Sequence, residues 1–237
     1  MSRPIISWSF SRLNDFRSCA YKYYMVHVQK AVGDASADNV RGEDYHKEFE
    51  LYVAKGKSLP INLQRFAPVL DKLKRQPGQM STEVSLTLDA NYQPCAWNDW
   101  DRAWVRSKVD WQLVNGERAW QWDYKFGKPK KDQDPYGGQN ALNAALLFRH
   151  HPQVQSVSTA YYFAMHDKLE KDYFVRSDEP RIWNAFLPHV NRLADAKLRN
   201  SWPKMTGPLC GWCPVKSCEH NTMDERLARE RAQREPE

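Results

Sequence analysis

The chain lacks any run of apolar residues long enough to cross a bilayer, which takes about 20. Its opening residues, MSRPIISWSFSRL, lack the apolar core of a secretory leader. No segment repeats along the chain, so repeat architectures drop out. A disulfide scaffold is not expected either: the five cysteines are an odd number, and no secretory signal is recognisable in the opening residues. Wholesale disorder is excluded by an aromatic content of 13%. These absences leave a cytoplasmic globular protein as the expectation.

What is present fits one domain over residues 1–222, followed by a nearly all-charged tail at 223–237. Lys and Arg number 35 against 29 Asp and Glu, a modest positive excess that favours an anionic partner such as nucleic acid. One basic cluster is local: Lys125, Lys128, Lys130 and Lys131 all fall within KFGKPKK.

Residues 9–25 carry Phe10, Leu13, Phe16, Ala20, Tyr23 and Tyr24 at helical spacing, with Cys19 on that helix and Ser9 as its N-cap. A second helix at 42–56 presents Tyr45, Phe49, Tyr52 and Val53 and contains His46. A short helix is expected at 65–75. Strands are expected at 82–88, opened by Glu83, and at 104–114, 118–126, 158–165 and 171–176. Helices are expected at 137–150 and at 181–199, the latter interrupted at Pro188.

The two central strands flank Asn115-Gly116, a two-residue hairpin signal. That turn pairs Val114 with Glu117, Asp110 with Gln121 and Lys108 with Asp123. Val109, Trp111, Leu113, Trp120, Trp122 and Tyr124 then share an apolar face. Lys108, Asp110, Gln112, Gln121, Asp123 and Lys125 share the other, with Asp110 and Asp123 diagonal neighbours about 7–8 Å apart. Two convergent carboxylates suit Mg²⁺ or Mn²⁺, which bind hard oxygen donors, and a lysine beside them can orient or deprotonate water. The competing reading is a solvated strand face laced with cross-strand ion pairs.

Cys210, Cys213 and Cys218 form a C-x2-C-x4-C cluster, which in a chain of this kind signals metal. Three thiolates need a fourth ligand, either His220 or a cysteine from elsewhere in the chain. Four thiolates suit structural Zn²⁺ or a 4Fe–4S cluster, whereas His220 would complete a local zinc site. Cys95 is left over as a free thiol.

The order of these motifs resembles PD-(D/E)XK nucleases of the RecB-like type, especially members with an iron–sulfur cluster, such as CRISPR adaptation nucleases and the nuclease domain of the AddB subunit. The shared order is a helix with Cys19, G-x-x-x-H at Gly42 to His46, VDW at 109–111, DYK at 123–125, Gln139 on a helix, and CGWCPVKSC. It spans residues 9 to 218.

The resemblance implies an α/β fold of the restriction-endonuclease type: a central mixed sheet flanked by helices, with a cysteine-bound cluster joining the N- and C-terminal segments. It implies metal-dependent DNA cleavage, exonucleolytic on single strands or duplex ends. His46, Asp110 and Asp123 would be metal ligands, Asp110 and Asp123 also catalytic, Lys125 the catalytic lysine, and Gln139 the start of a helix motif that helps bind DNA and arrange the catalytic site. Lys128, Lys130 and Lys131 would track phosphates. Cys19, Cys210, Cys213 and Cys218 would hold 4Fe–4S, and Glu83 would match an upstream acidic residue. Partners would be DNA, no membrane, and proteins of recombination, repair, phage replication or CRISPR adaptation. The alternatives are a catalytically silent nucleic-acid-binding or assembly protein on this fold, and a zinc-stabilised interaction protein. Two positions depart from the family pattern: Asn143 stands where Tyr is expected, and no Gly precedes Asp110 at 106–108.

Overall fold

A computed structural model of the chain describes residues 6–31, 37–129 and 137–232, with backbone alone at 37–43 and 228–232. The helices in chain order are α1 (Phe10–Ser18), α2 (Ala20–Tyr23), α3 (Ala37–Lys55), α4 (Ala67–Lys74), α5 (Gln139–His150), α6 (Glu179–Leu198) and α7 (Met223–Ala232). The strands are β1 (Gln79–Asp89), β2 (Ala103–Asn115), β3 (Arg118–Lys125), β4 (Ser156–Phe163) and β5 (Lys168–Val175). Two compact units are present: the described parts of 1–9 with 35–187, and those of 10–34 with 188–237.

In the first unit the five strands form one sheet in the order β1-β2-β3-β4-β5. β3 and β4 run parallel and the other neighbours antiparallel. A parallel pair needs a crossover, and α5 lies in the one that joins β3 to β4. The result is a mixed sheet flanked by helices, in line with the restriction-endonuclease-like α/β expectation.

On one side Phe49 and Val53 of α3, the turn of 3-10 helix Ile61–Phe66, and Leu70 and Leu73 of α4 bury Trp111, Leu113, Tyr124 and Tyr162. The Phe49 ring is fully buried and meets the rings of Tyr124, Phe66 and Phe126 at centroid distances of 5.1, 5.3 and 5.5 Å. α5 packs against β1, β2, β4 and β5. Its residues from Asn140 to Phe148 are all buried, as expected of a helix that is not amphipathic but central.

The central hairpin differs from the expected one. Asn115 pairs with Arg118, Gln112 with Gln121 and Trp111 with Trp122, so the two turn residues are Gly116-Glu117. Gly116 has φ of 58° and takes the first turn position, where a type II′ turn requires positive φ. Asn115 stays in the strand, with its side-chain amide donating to Pro77 O at 3.1 Å. The shift carries every partner along by two positions and therefore keeps the parity of the faces. Lys108 pairs with Ser85 of β1 and not with Asp123.

Other boundaries moved as well: α3 starts at Ala37, before the expected 42, and β4 is Ser156–Phe163 and not 158–165. β1 starts before Glu83, and β5 starts earlier than 171. α6 continues through Pro188, because Ile182, Trp183, Phe186, Val190 and Leu193 keep a buried stripe across it; this offsets the roughly 3 kcal/mol of an internal proline. The first expected helix breaks at Cys19, whose backbone is extended (φ −166°, ψ 117°) between α1 and α2.

In the second unit, Tyr23 and Tyr24 stack on Trp202 at 5.7 and 5.3 Å. Asp15 is held by Lys22 Nζ at 2.6 Å and His27 Nε2 at 2.8 Å. None of the described helices is long and apolar enough to cross a membrane.

Candidate active site and cysteine cavity

The hairpin places Asp110 at the point where the β2–β3 ladder ends, one residue beyond the Trp111–Trp122 pair. The strands part there. In place of a backbone carbonyl, the Asp110 Oδ2 atom accepts the Tyr124 N–H at 2.6 Å. The same oxygen lies 3.2 Å from His46 Nδ1 on α3. Burial alone would lower the His46 pKa; the Asp110 carboxylate outweighs it, and the net shift is upward.

Asp123 is 6% exposed. Its Oδ1 accepts the Gln139 Nε2–H at 2.9 Å. Its Oδ2 is buried and faces the Lys125 ammonium, with Nζ 2.6 Å away as an ion pair. Burial, with Asp110 adding to it, pushes the Asp123 carboxyl up to about 6 against the opposing pull of Lys125. Lys125 Nζ in turn donates to Gln139 Oε1 at 3.1 Å. Gln139, the first residue of α5, thus clasps both members of D-Y-K.

Glu83 sits in β1 between Thr82 and Val84, which pair with Trp111 and Val109, so it stands beside Asp110. Its φ is 51°, a left-handed value that costs a non-glycine residue about 1–3 kcal/mol. Across from it the regular alternation of β2 also breaks. Ser107 bonds Asn143 of α5, and Gln112 bonds His151 at the end of α5, although the two are an odd number of positions apart. Burial and the neighbouring Asp110 raise the Glu83 carboxyl. Lys108 Nζ approaches it at 3.8 Å.

Much of the polar face of the hairpin is covered, although Lys108 is exposed. Gln112, Gln121 and Asp123 are buried beneath α5, and Gln121 Nε2 donates to Gln112 Oε1 at 3.0 Å. Asn143, where the resembled motif has Tyr, is likewise buried and accepts the Ser107 hydroxyl at 2.6 Å. Its substitution is therefore absorbed as a packing contact between α5 and β2. The structure brings together His46, Glu83, Asp110, Asp123, Lys125 and Gln139. Lys128 is exposed, and Lys130 and Lys131 lie outside the described residues.

One neighbour had no signal in the sequence. Tyr161 of β4 pairs with Asp123 across the parallel ladder, and its ring centroid is 5.2 Å from Lys125 Nζ. Its hydroxyl accepts the Asn140 N–H at 3.2 Å, which ties the first turn of α5 to the sheet.

In the second unit Cys19, Cys210, Cys213 and Cys218 are free, half-buried, and line one cavity of about 210 Å³ together with His220. Cys19 Sγ accepts the Met205 N–H at 3.4 Å. Burial raises the Cys213 thiol. Cys95 lines no part of that cavity. Among the described residues no group of three or more His, Cys, Asp or Glu is drawn close enough together to form a closed metal site. The donor chemistry nevertheless suits metals in both places. Two carboxylates and an imidazole, Asp110, Asp123 and His46, converge in one, and four thiols line one cavity in the other.

The sequence model of the PD-(D/E)XK nuclease superfamily matches the chain over residues 7–115 and 74–218. No curated protein matches it by sequence. Among solved structures it is similar to SSO0001, at 14% identity and TM-score 0.41, covering 91% of this chain and 86% of the other. A candidate exonuclease from Eubacterium rectale aligns at 13% identity and TM-score 0.45, covering 80% and 81%. An alkaline exonuclease from Laribacter hongkongensis aligns at 9% identity and TM-score 0.32, covering 84% and 94%. These likenesses are distant, and the family assignment rests on the sequence match.

Proposed function

The chain belongs to the PD-(D/E)XK nuclease superfamily, and from that premise we propose that it hydrolyses phosphodiester bonds in DNA, acting on single strands or duplex ends. The observation that carries this reading is the clasp of Gln139 on Asp123 and Lys125, with Asp110 beside them at the mouth of the hairpin. Asp110, Asp123 and His46 would hold Mg²⁺ or Mn²⁺, with Glu83 at the edge of the set. When bound, such an ion supplies positive charge to the scissile phosphate and lowers the pKa of water.

The chain's own residues do the rest. The Tyr124 N–H and His46 fix the orientation of Asp110. Gln139 holds the Lys125 ammonium within reach of the phosphate, where it can position the attacking water and offset developing negative charge. Lys128, exposed just beyond β3, would meet the next phosphate.

The four cysteines would bind a 4Fe–4S cluster, as in the iron–sulfur members that the sequence resembles. Its role would be structural, since metal-binding free energy becomes folding free energy. Zinc is the alternative occupant of the same thiolates. Anaerobically purified protein should be coloured and contain iron and sulfide; colourless protein with stoichiometric zinc would rule out the cluster.

The activity is tested with end-labelled single- and double-stranded DNA, with and without Mn²⁺. Cleavage should require the ion and fall about 10²- to 10⁴-fold in Lys125→Ala. If Asp110→Ala and Lys125→Ala both cleave as well as the wild type, the assigned site is wrong. A chain that binds DNA and never cleaves it would leave the silent assembly role.

A further inference from the structure

Three groups of different kinds meet the Lys125 ammonium among the described residues. Asp123 Oδ2 lies 2.6 Å from Nζ, and Gln139 Oε1 accepts from it at 3.1 Å. The third is the Tyr161 ring: Nζ stands over its face, 5.2 Å from the centroid. The face of an aromatic ring is negative and attracts a cation within about 6 Å. Lys125 has use for a third restraint. Its side chain is 35% exposed, so a flexible stem with several rotamers stands partly in water.

The ring itself is fixed. Tyr161 is buried in β4 and pairs with Asp123 across the parallel ladder. Phe163, the partner of Lys125 in that ladder, shares its face of the sheet, and the two rings lie 6.2 Å apart. At the other end the Tyr161 hydroxyl accepts the Asn140 N–H at 3.2 Å, and Asn140 Nδ2 donates to Asp172 Oδ2 at 3.0 Å. Residues of β4, β5 and α5 therefore hold the ring in place beside the lysine.

We propose that Tyr161 is a positioning residue, whose ring face holds the Lys125 ammonium at the site by cation–π attraction. The two oxygen acceptors do not duplicate this role. Asp123 is both the charge partner of Lys125 and a candidate ligand for a divalent ion, and Gln139 is shared between Lys125 and Asp123. Hard cations take oxygen ligands, so a ring face restrains the lysine without competing for the ion. The kinetic consequence rests on the nuclease reading; the contact between ring and ammonium does not.

The test keeps the shape of the ring and weakens its face. kcat and KM for end-labelled DNA in Mn²⁺ are measured for Tyr161→Phe, and for chains carrying phenylalanine with one, two or three ring fluorines at that position. Fluorine withdraws electron density from the face and leaves the packing nearly unchanged. Tyr161→Phe should keep kcat within about threefold. kcat should then fall stepwise with each fluorine, by about 5- to 30-fold over the series, with KM held within about twofold. Tyr161→Leu should fall at least as far. Without ion or substrate, the Lys125 ε-methylene protons, assigned by their loss in Lys125→Arg, should resonate upfield of the other lysines in ¹H–¹³C spectra. In Tyr161→Leu they should return to the common position. Fluorinated chains that all cleave alike overturn the proposal, as does a Lys125 resonance that Tyr161→Leu leaves unmoved. A Tyr161→Phe chain that loses as much as Tyr161→Leu overturns it too, and assigns the role to the hydroxyl and its hold on α5. If the wild type cleaves no DNA, the nuclease reading fails, and the spectra still decide whether the ring holds the lysine.

Discussion

Gln139→Met isolates the clasp over D-Y-K. Met is nearly the size of Gln, so α5 keeps its shape while two hydrogen bonds disappear: Nε2 to Asp123 Oδ1 at 2.9 Å and Lys125 Nζ to Oε1 at 3.1 Å. Both lost bonds involve a charged partner, and such bonds contribute about 1.5–3 kcal/mol each. Lys125 keeps its ion pair to Asp123 but loses the neutral acceptor that holds it away from full collapse onto that carboxylate. If one bond's worth of positioning is expressed in the transition state, kcat falls about 10- to 150-fold. KM should stay within about twofold, because Gln139 is argued to position Lys125 and not to grip the strand. Single-turnover cleavage of end-labelled DNA in Mn²⁺ separates the two constants, and a melting curve confirms folding. A variant that cleaves within about twofold of the wild type, or one that loses only KM, refutes the positioning role.

Phe49→Ala should cost about 3–5 kcal/mol in chemical denaturation, because its fully buried ring is flanked by Phe66, Tyr124 and Phe126. It should also weaken cleavage, since Tyr124 supplies the N–H that orients Asp110. Gly78→Ala should lower stability by about 1–3 kcal/mol: φ is +138°, and an added Cβ would stand 2.8 Å from Val114 O, a backbone atom that cannot step aside. Asp15 is opposed by burial but held below the usual carboxylate range by His27 and Lys22. Its pKa is depressed in the fold, so its stabilising contribution is complete above the unfolded value of 3.8 and disappears as pH falls through the lower folded value. Asp15→Asn should flatten the acid limb of the melting temperature below about pH 4 and leave the neutral limb offset; an unchanged acid limb would contradict it.

Much of the site was legible because its parts are local. The alternation around Asp123 and Lys125 marks a strand with two faces, and the even-length turn keeps Asp110 on the face of Asp123 whether the turn residues are 115-116 or 116-117. The exact partner was not legible. Asn-Gly advertises a turn, but which two residues occupy it depends on where Gly116 can use its positive φ, and Pro77 holds Asn115 in the strand. The polar face invited a solvated reading because its charge and amides suit water; nothing in β2 or β3 announces that α5 will cover Gln112 and Gln121.

The sequence alone determined most of the segments that become strands and helices, the family to which the chain belongs, and the candidate groups for its chemistry. Those follow from periodicity, turn chemistry and short motifs, which are properties of neighbouring residues. Only the tertiary structure decided that β4 lies parallel to β3 and brings Tyr161 to Lys125, that the first residue of α5 clasps Asp123, and that Glu83 bends into a left-handed conformation beside Asp110. Each of these joins residues distant in the chain, and such pairings are set by the balance of burial, ladder bonding and charge across the whole fold, which no local stretch of sequence carries.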